Sequence, residues 1–455
     1  MSGTELSTAP SIGSPPPGDL PLPGGGSRSS ADGPSFHEIE IAWADHFGHT
    51  LGKRIPADGF RRRAERERFG FCDATLSWDA VAEVHSGARL TDWHTGFPDI
   101  YAVPDLATLR PLPWRAGAAQ VIGDVQTHAG ELVHTAPRTV LRRAVGRLGE
   151  LGYRAQIGVE IEFFLLDAAG QPLGGSVHCY SLEKANELDP VLGLVARGLE
   201  GFVPVEGVTG EYGPGQVEVN IHHADPLTAA DDGFRLKYGV RTLAREAGAA
   251  VTFMAKPFAG LSGSSMHLHL SLWRGETPLF AAENGAENEL MRRVVAGIVE
   301  HLPALTVFGA PTVNSYKRFE TGSYAPTTAS WGGDNRTASV RALLEDPEGT
   351  RIELRTPGAD ANPYWAVAAL LAAAVAGIEE GEAGTVRGEG DLYGSGARLP
   401  RTPAEAIALA RADKRIVDLL GDDAVHDYTH LVEREWEAYI STVTDWERDR
   451  YLDLA

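Results

Sequence analysis

The sequence predicts an α+β fold in two unequal parts, and three observations lead there. Short apolar runs separated by Gly and Pro-Asp turns fill residues 36 to about 130. From Gln156 to Arg355, segments that alternate apolar and polar residues with period two are interrupted by helical patterns. From Pro363 onward the pattern is mostly helical. We therefore divide the 455 residues into a Pro/Gly/Ser-rich tail at 1–35, a small sheet-bearing domain at 36–134 and a large domain at 135–455.

The tail buries too little apolar surface to offset its chain entropy, which predicts disorder, and it lacks the basic and apolar segments of a secretory signal. In the small domain, "IEIAWADHFGHTLGKRIP" sets apolar segments around Gly turns, and "GFPDIYAVPDLATLRPLPW" repeats Pro-Asp turns. A helix is predicted at Arg138–Leu151, where Val140, Leu141, Val145, Leu148 and Leu151 recur near helical spacing, and it is expected to link the two domains. Further helices are expected at Ala229–Ala247 and Glu287–Leu302. The run Trp365–Ile378 is shorter than the roughly 18 apolar residues of a membrane span, so it predicts a buried helix and no membrane partner. A net charge of −21 repels a phosphate backbone, so no nucleic-acid partner is expected. Two cysteines, Cys72 and Cys179, are too few for a disulfide framework or a structural zinc site, and the chain reads as cytoplasmic.

Four segments carry chemistry. In "IGVEIEFFLL", Glu160 and Glu162 project from one face of a strand, because side chains alternate with period two, and their neighbours are apolar. In "EYGPGQVEVN", Glu211 and Glu218 bracket a Gly/Pro turn and Glu218 shares a face with Asn220. In "FMAKPFAGLSGSSMHLHLSL", a Gly/Ser-rich loop leads into a strand on which His267, His269 and Ser271 point one way. In "NRTASVRALLEDPEGTRIELRTPGADANPY", Arg336 and Arg341 flank a small polar stretch, and Arg351, Glu353 and Arg355 alternate onto one face. Singly, each reads equally as an exposed acidic edge, a polar hairpin or a surface ion pair. Together, five Glu, two His and four Arg would be costly to converge in a core unless cations and an anionic ligand sat among them.

These segments, in this order, resemble the glutamine synthetase superfamily, from about Ile39 to "VTDWERDRYL". "KPFAGLSGSSMHLHLS" resembles its ATP-region signature, and "PTVNSYKRF", "NRTASVR" and "RIELR" resemble its downstream blocks. The resemblance implies a β-grasp-like N-terminal domain, a catalytic domain with a curved antiparallel sheet and helices, and a dodecamer of two hexameric rings. It implies that Glu162, Glu211 and Glu218 ligate one divalent cation, magnesium or manganese, and that Glu160, His267 and Glu353 ligate a second. It further implies that His269, Ser271, Arg336, Arg341 and Arg351 hold ATP. Glutamate would meet Glu162, Ser262, Gly263, Arg318 and Arg355, and Arg318, Arg336 and Arg355 would act on the transferring phosphoryl group.

One departure points to the substrate. Ammonia-using members carry a flap ending Tyr, Glu, Ala, Pro, whereas this chain reads "RFETGSYAP", with Tyr324 where the Glu is expected. A phenol, of reference pKa about 10, neither attracts ammonium by charge nor takes its proton easily near pH 7. Glu320 lies in the same loop, and Asp79 is a candidate for the N-terminal-domain Asp of ammonia-using members. Ser262 stands where an Asn usually contacts glutamate, and Tyr393 sits near the family's adenylylation tyrosine with different flanks, which argues against regulation there. "EYGPGQVEVN" and "VTDWE" are similar to the branch that makes γ-glutamyl amides from polyamines, ethanolamine or alkylamines. The expected activity is ATP-dependent ligation of glutamate to an organic amine through γ-glutamyl phosphate. The alternatives are a true glutamine synthetase and a noncatalytic relative.

Overall fold

The computed structural model describes residues 36–64, 68–176, 179–280, 286–344, 346, 349–380 and 384–454; the tail expected to be disordered lies outside them. The first strands, β1 (Glu38–Ala44), β2 (Thr50–Pro56), β3 (Phe69–Cys72), β4 (Asp99–Pro111) and β5 (Ala118–Gln126), form a sheet in the order β2-β1-β5-β4-β3. Its central pair, β1 and β5, is parallel, and α1 (Ala57–Ala64) follows β2. Ile39, Ile41, Trp43, Phe60, Phe69, Phe71 and Val121 bury the face that supports it.

Helix α2 (Pro137–Glu150) lies within a residue of its predicted span and leads into β6 (Arg154–Leu166). Next come α3 (Leu182–Glu187), α4 (Asp189–Gly198), β7 (Val205–Gly210), β8 (Gln216–Ala224), α5 (Pro226–Glu246), β9 (Ala250–Thr252), β10 (Met266–Arg274), β11 (Thr277–Pro278) and α6 (Glu289–Gly309). Short strands β12 (Thr328–Ala329), β13 (Trp331–Gly333), β14 (Val340–Leu343) and β15 (Arg351–Leu354) precede α7 (Pro363–Glu380). After β16 (Ala397–Arg398) the chain is helical: α8 (Pro403–Ala412), α9 (Lys414–Leu420), α10 (Asp422–Ser441) and α11 (Asp445–Tyr451).

The large sheet runs β13-β14-β15-β10-β6-β8-β7, with β11 on β10 and β9 on β6. It is antiparallel except for the β13–β14 pair, a departure from the all-antiparallel expectation. On β6, Ile157, Val159, Ile161 and Phe163 are fully buried and face the helices. Burial of each such side chain contributes about 1.5–3 kcal/mol, which fixes which face of the strand turns inward and therefore where Glu160 and Glu162 point. Helix α7 is apolar all round because it packs against α2, α5, α6 and α9. Its approach to α6 is so close that a Cβ on Gly377 would lie 2.2 Å from the Arg293 carbonyl oxygen.

The small sheet is tied to helices α2 and α5 by charge. Arg138 on α2 reaches Asp231 on α5 through Nε at 3.0 Å and Nη2 at 2.8 Å, and contacts Asp105 on β4 and Asp124 on β5.

Candidate active site

The floor of the site is set by strand register. In the sheet, Glu160 on β6 stands between His267 on β10 and Asn220 on β8, and Glu162 stands opposite Glu218. Arg341 on β14 faces Glu353 on β15, which faces His269 on β10. The pairing thus brings side chains from distant parts of the chain into adjacent rows. Glu160, Glu162, Glu211, Glu218 and His267 line one cavity of about 720 Å³ together with Ser262, Gly263, Arg318, Tyr324, Arg336, Arg341 and Arg355. A second cavity of about 440 Å³ takes His269, Ser271 and Arg351, and Glu160 borders both. Glu353 lines neither; it is 1% exposed beneath the first.

The carboxylates divide into two electrostatic classes. Burial alone would raise Glu160 and Glu353, but the neighbouring His267 and His269 hold Glu160 well below the usual carboxylate range. Arg355, His267, His269 and Arg341 hold Glu353 at about 2 against the same effect. Glu211 is instead pushed up to about 7 by burial and by Glu162, and Glu218 to about 9 by burial and by Glu160, Glu162 and Glu211. Four carboxylates crowd this wall without enough cationic side chains to neutralise them.

That excess tests whether divalent cations fit. Donor atoms of Glu160, Glu218 and His267 lie within 4.8 Å of one another, as do those of Glu160, His269 and Glu353. His267 Nδ1 is 3.4 Å from Glu160 and 3.5 Å from Glu353. His269 Nε2 lies 3.0 Å from Glu160 but off the line a hydrogen bond requires, so this buried nitrogen has no hydrogen-bond partner among the described residues. An oxygen-rich set with an imidazole suits magnesium or manganese, so the residues fit the group. Glu162 is less free, because its oxygens accept from Ser265 N at 2.9 Å and Ser265 Oγ at 2.7 Å.

The arginines differ in what they can still do. Arg318 is 2% exposed, and its terminal nitrogens donate to the carbonyls of Arg355, Thr356 and Pro357, which leaves mainly its charge for the cavity. Burial lowers its pKa to about 10. Gly263 must be glycine, since a Cβ there would sit 2.5 Å from Arg318 Cγ and 2.6 Å from the Ala255 carbonyl oxygen. Arg355 is anchored on Glu353 while its buried Nε has no hydrogen-bond partner among the described residues. Arg341 bridges Glu353 at 2.8 Å and Asp334. Arg336 lines the same cavity. In the second cavity, Arg351 Nε meets His269 Nδ1 at 3.1 Å, and Ser271 Oγ accepts from Trp273.

The roof is a loop at 319–325. Tyr324 occupies the left-handed backbone region at φ +60°, about half its surface is exposed, and its ring lies 5.5 Å from that of Tyr212. Its backbone N–H donates to the Tyr393 hydroxyl at 2.6 Å. Glu320, the other acidic candidate in this loop, accepts from Lys256 Nζ at 2.8 Å, and Lys256 also donates to the Leu261 carbonyl. Asp79 is committed to its own turn: it accepts from the N–H groups of Val81 and Glu83 and lies 2.8 Å from His85 Nε2.

Sequence reasoning missed several residues that hold the site together. Gln216 is 1% exposed and connects Ser262, Gly263, Ser264 and Glu162 in one hydrogen-bonded cluster. Its signal was present, because it shares the alternating face of β8 with Glu218 and Asn220. Lys256, Tyr212 and Tyr393 carried no such period.

Four likenesses to known proteins accord with this geometry. Residues 134–451 match the glutamine synthetase catalytic domain family. The chain is 35% identical over 435 residues to a glutamate–isopropylamine ligase of Pseudomonas sp., covering 91% of this chain and 95% of that one. It is 34% identical over 428 residues to the gamma-glutamylethanolamide synthetase GlnA4 of Streptomyces coelicolor, covering 91% and 92%. The ligand-free structure of GmaS superposes with a TM-score of 0.82 at 30% identity, covering 92% of this chain and 97% of that one. The chain belongs to the glutamine synthetase family.

Proposed function

We propose that this protein is an ATP-dependent ligase that joins the γ-carboxylate of L-glutamate to a small organic amine through a γ-glutamyl phosphate. One observation carries the choice of amine over ammonia. The first cavity gathers Glu160, Glu162, Glu211, Glu218, His267 and four arginines, while its roof presents Tyr324 and Tyr212 and ties Glu320 to Lys256. Relatives named for isopropylamine and ethanolamine support the same reading.

In this mechanism Glu162, Glu211 and Glu218 would hold one divalent cation, and Glu160, His267 and Glu353 a second. When bound, magnesium or manganese there would neutralise phosphate charge. His269, Ser271 and Arg351 form the nucleotide's compartment, with Arg341 and Arg336 at its phosphate end. A carboxylate is a poor acyl donor because its leaving group would be oxide, so its oxygen first attacks the γ-phosphorus of ATP and ADP departs. Arg336 and Arg355, which line the cavity, would offset the charge that gathers on the transferring phosphoryl group. Ser262, Gly263 and the Arg318 charge orient the amino acid. The amine nitrogen then attacks the acyl carbon, phosphate departs, and the nitrogen loses a proton. Tyr324 and Tyr212 cover that end with aromatic surface, which excludes water that would hydrolyse the acyl phosphate. We read the enzyme as cytoplasmic and the assembly as a dodecamer; the exposed apolar Ile440, Val443, Trp446 and Leu452 near the C-terminus are surface that a subunit contact would cover.

The test is phosphate release by purified protein with glutamate, ATP and magnesium against a panel of amines. Isopropylamine, ethanolamine or a diamine is expected to outpace ammonium. Equal or faster turnover with ammonium would defeat the proposal in favour of a true glutamine synthetase.

A further inference from the structure

On the helical side of the molecule, away from both cavities, His301 of α6 is 7% exposed. Its Nδ1 lies 2.7 Å from Asp413 Oδ2, the residue that caps the start of α9. Its Nε2 is buried and has no hydrogen-bond partner among the described residues. Glu300, its neighbour on α6, and Glu380, the last residue of α7, each bring a carboxylate oxygen to it, so that three donor atoms lie within 4.8 Å of one another. None of these four residues lines either cavity.

A buried polar atom left without a partner costs about 1–3 kcal/mol, so an unpaired imidazole nitrogen beside two carboxylates calls for an explanation. With Nδ1 committed to Asp413, Nε2 is the nitrogen left to face Glu300 and Glu380. A carboxylate that holds one imidazole nitrogen while the other meets anionic donors is the outer-shell arrangement that fixes metal-binding histidines. Three donor atoms that each sit about 2.0–2.2 Å from a first-row dication lie within about 3.8 Å of one another. The grouping therefore closes by up to about 1 Å on binding, and both glutamates are exposed and able to make that movement. Arg415 touches Glu380 through Nε at 3.4 Å while its Nη2 pairs with Glu379, a long contact that leaves Glu380 able to turn.

We propose that His301, Glu300 and Glu380 form a further metal site, oriented by Asp413 and separate from the active site, that takes a first-row dication such as zinc. Its two carboxylates and one imidazole match the active-site groups in composition, so zinc serves as the probe because it binds such a set more tightly than manganese or magnesium does. Its occupancy would clamp the end of α7 to α6 and, through Asp413, to the start of α9.

The full-length protein is tested with zinc alone as the probe, in excess magnesium, by equilibrium dialysis and thermal unfolding. Wild type is expected to hold one zinc per chain more than the variant Glu300→Gln/Glu380→Gln, and zinc is expected to raise the unfolding temperature of wild type only. Because both changes are at exposed positions, the variant is expected to fold and to keep its magnesium-dependent activity. Asp413→Asn should weaken zinc at this site by about 10–100-fold without abolishing it. Equal zinc counts and affinities in wild type and the double variant would overturn the proposal, since zinc held by the active site or by scattered surface groups is untouched by these changes.

Discussion

The floor and the roof of the active-site cavity are built on opposite principles. The floor is sheet: Glu160, Glu162, Glu218, His267 and Glu353 are placed by cross-strand register, and buried ion pairs lock Glu353 to Arg341 and Arg355. The roof is a loop at 319–325 held by a few contacts, chiefly Tyr324 to Tyr393 and Glu320 to Lys256, with half-exposed aromatic rings. A change in the floor disturbs several strands, whereas a change in the roof disturbs one loop. On the proposed mechanism, acid activation would belong to the part that resists variation and the choice of amine to the part that tolerates it.

The largest effect should come from the floor. Glu353→Ala leaves Arg355 buried without its partner, and removing one side of a buried pair costs about 3–5 kcal/mol. Chemical denaturation should show that loss together with an inactive enzyme; a variant of wild-type stability would mean that Glu353 is not the anchor. Cation removal comes next. In the cation-free protein Glu218 and Glu211 sit at about 9 and about 7, above their ordinary value of 4.5, so the folded chain binds more protons than the unfolded one. The stability these two groups contribute is fully present below about 4.5 and is lost as pH rises toward 9. Chelator-treated protein should lose unfolding temperature between pH 6 and about 9, and magnesium should restore it most at the alkaline end. A chelated protein that grows more stable over that range would contradict the crowded-carboxylate floor.

Roof changes should be smaller and confined to the amine. Tyr324→Glu is expected to shift the ratio of kcat/KM for ammonium over an alkylamine upward by about 10–100-fold, with the KM for ATP unchanged. If that ratio stays fixed, the ring does not select the amine. Tyr393→Phe removes the hydroxyl that accepts from the Tyr324 N–H, worth about 0.5–1.5 kcal/mol, so amine kcat/KM should fall about two- to tenfold while the thermal midpoint stays put.

How much of this could be read from the sequence follows the same division. The period-two pattern of β6 and β10 predicted which faces carry Glu160, Glu162, His267 and His269, because one face of each strand must be buried. The helices at residues 137–150, 226–246 and 289–309 and the buried α7 were legible from their apolar spacing to within a few residues, apart from the late end of α6. What remained hidden was register and anchoring. Nothing local in the sequence says that Glu162 lies opposite Glu218, or that the Arg318 guanidinium turns onto three backbone carbonyls. The roof ties span 64 and 69 residues between loops, where no periodicity exists to betray them.

The backbone of Tyr324 has a consequence for how this enzyme can change. At φ +60° an ordinary side chain is strained, glycine is at ease, asparagine and aspartate are tolerated, and β-branched residues fit worst. Mutational routes through this position are therefore filtered by conformation before chemistry: a library that samples isoleucine, valine or threonine there would mostly report a displaced loop, and one rich in glycine, asparagine and aspartate would report on substrate preference itself.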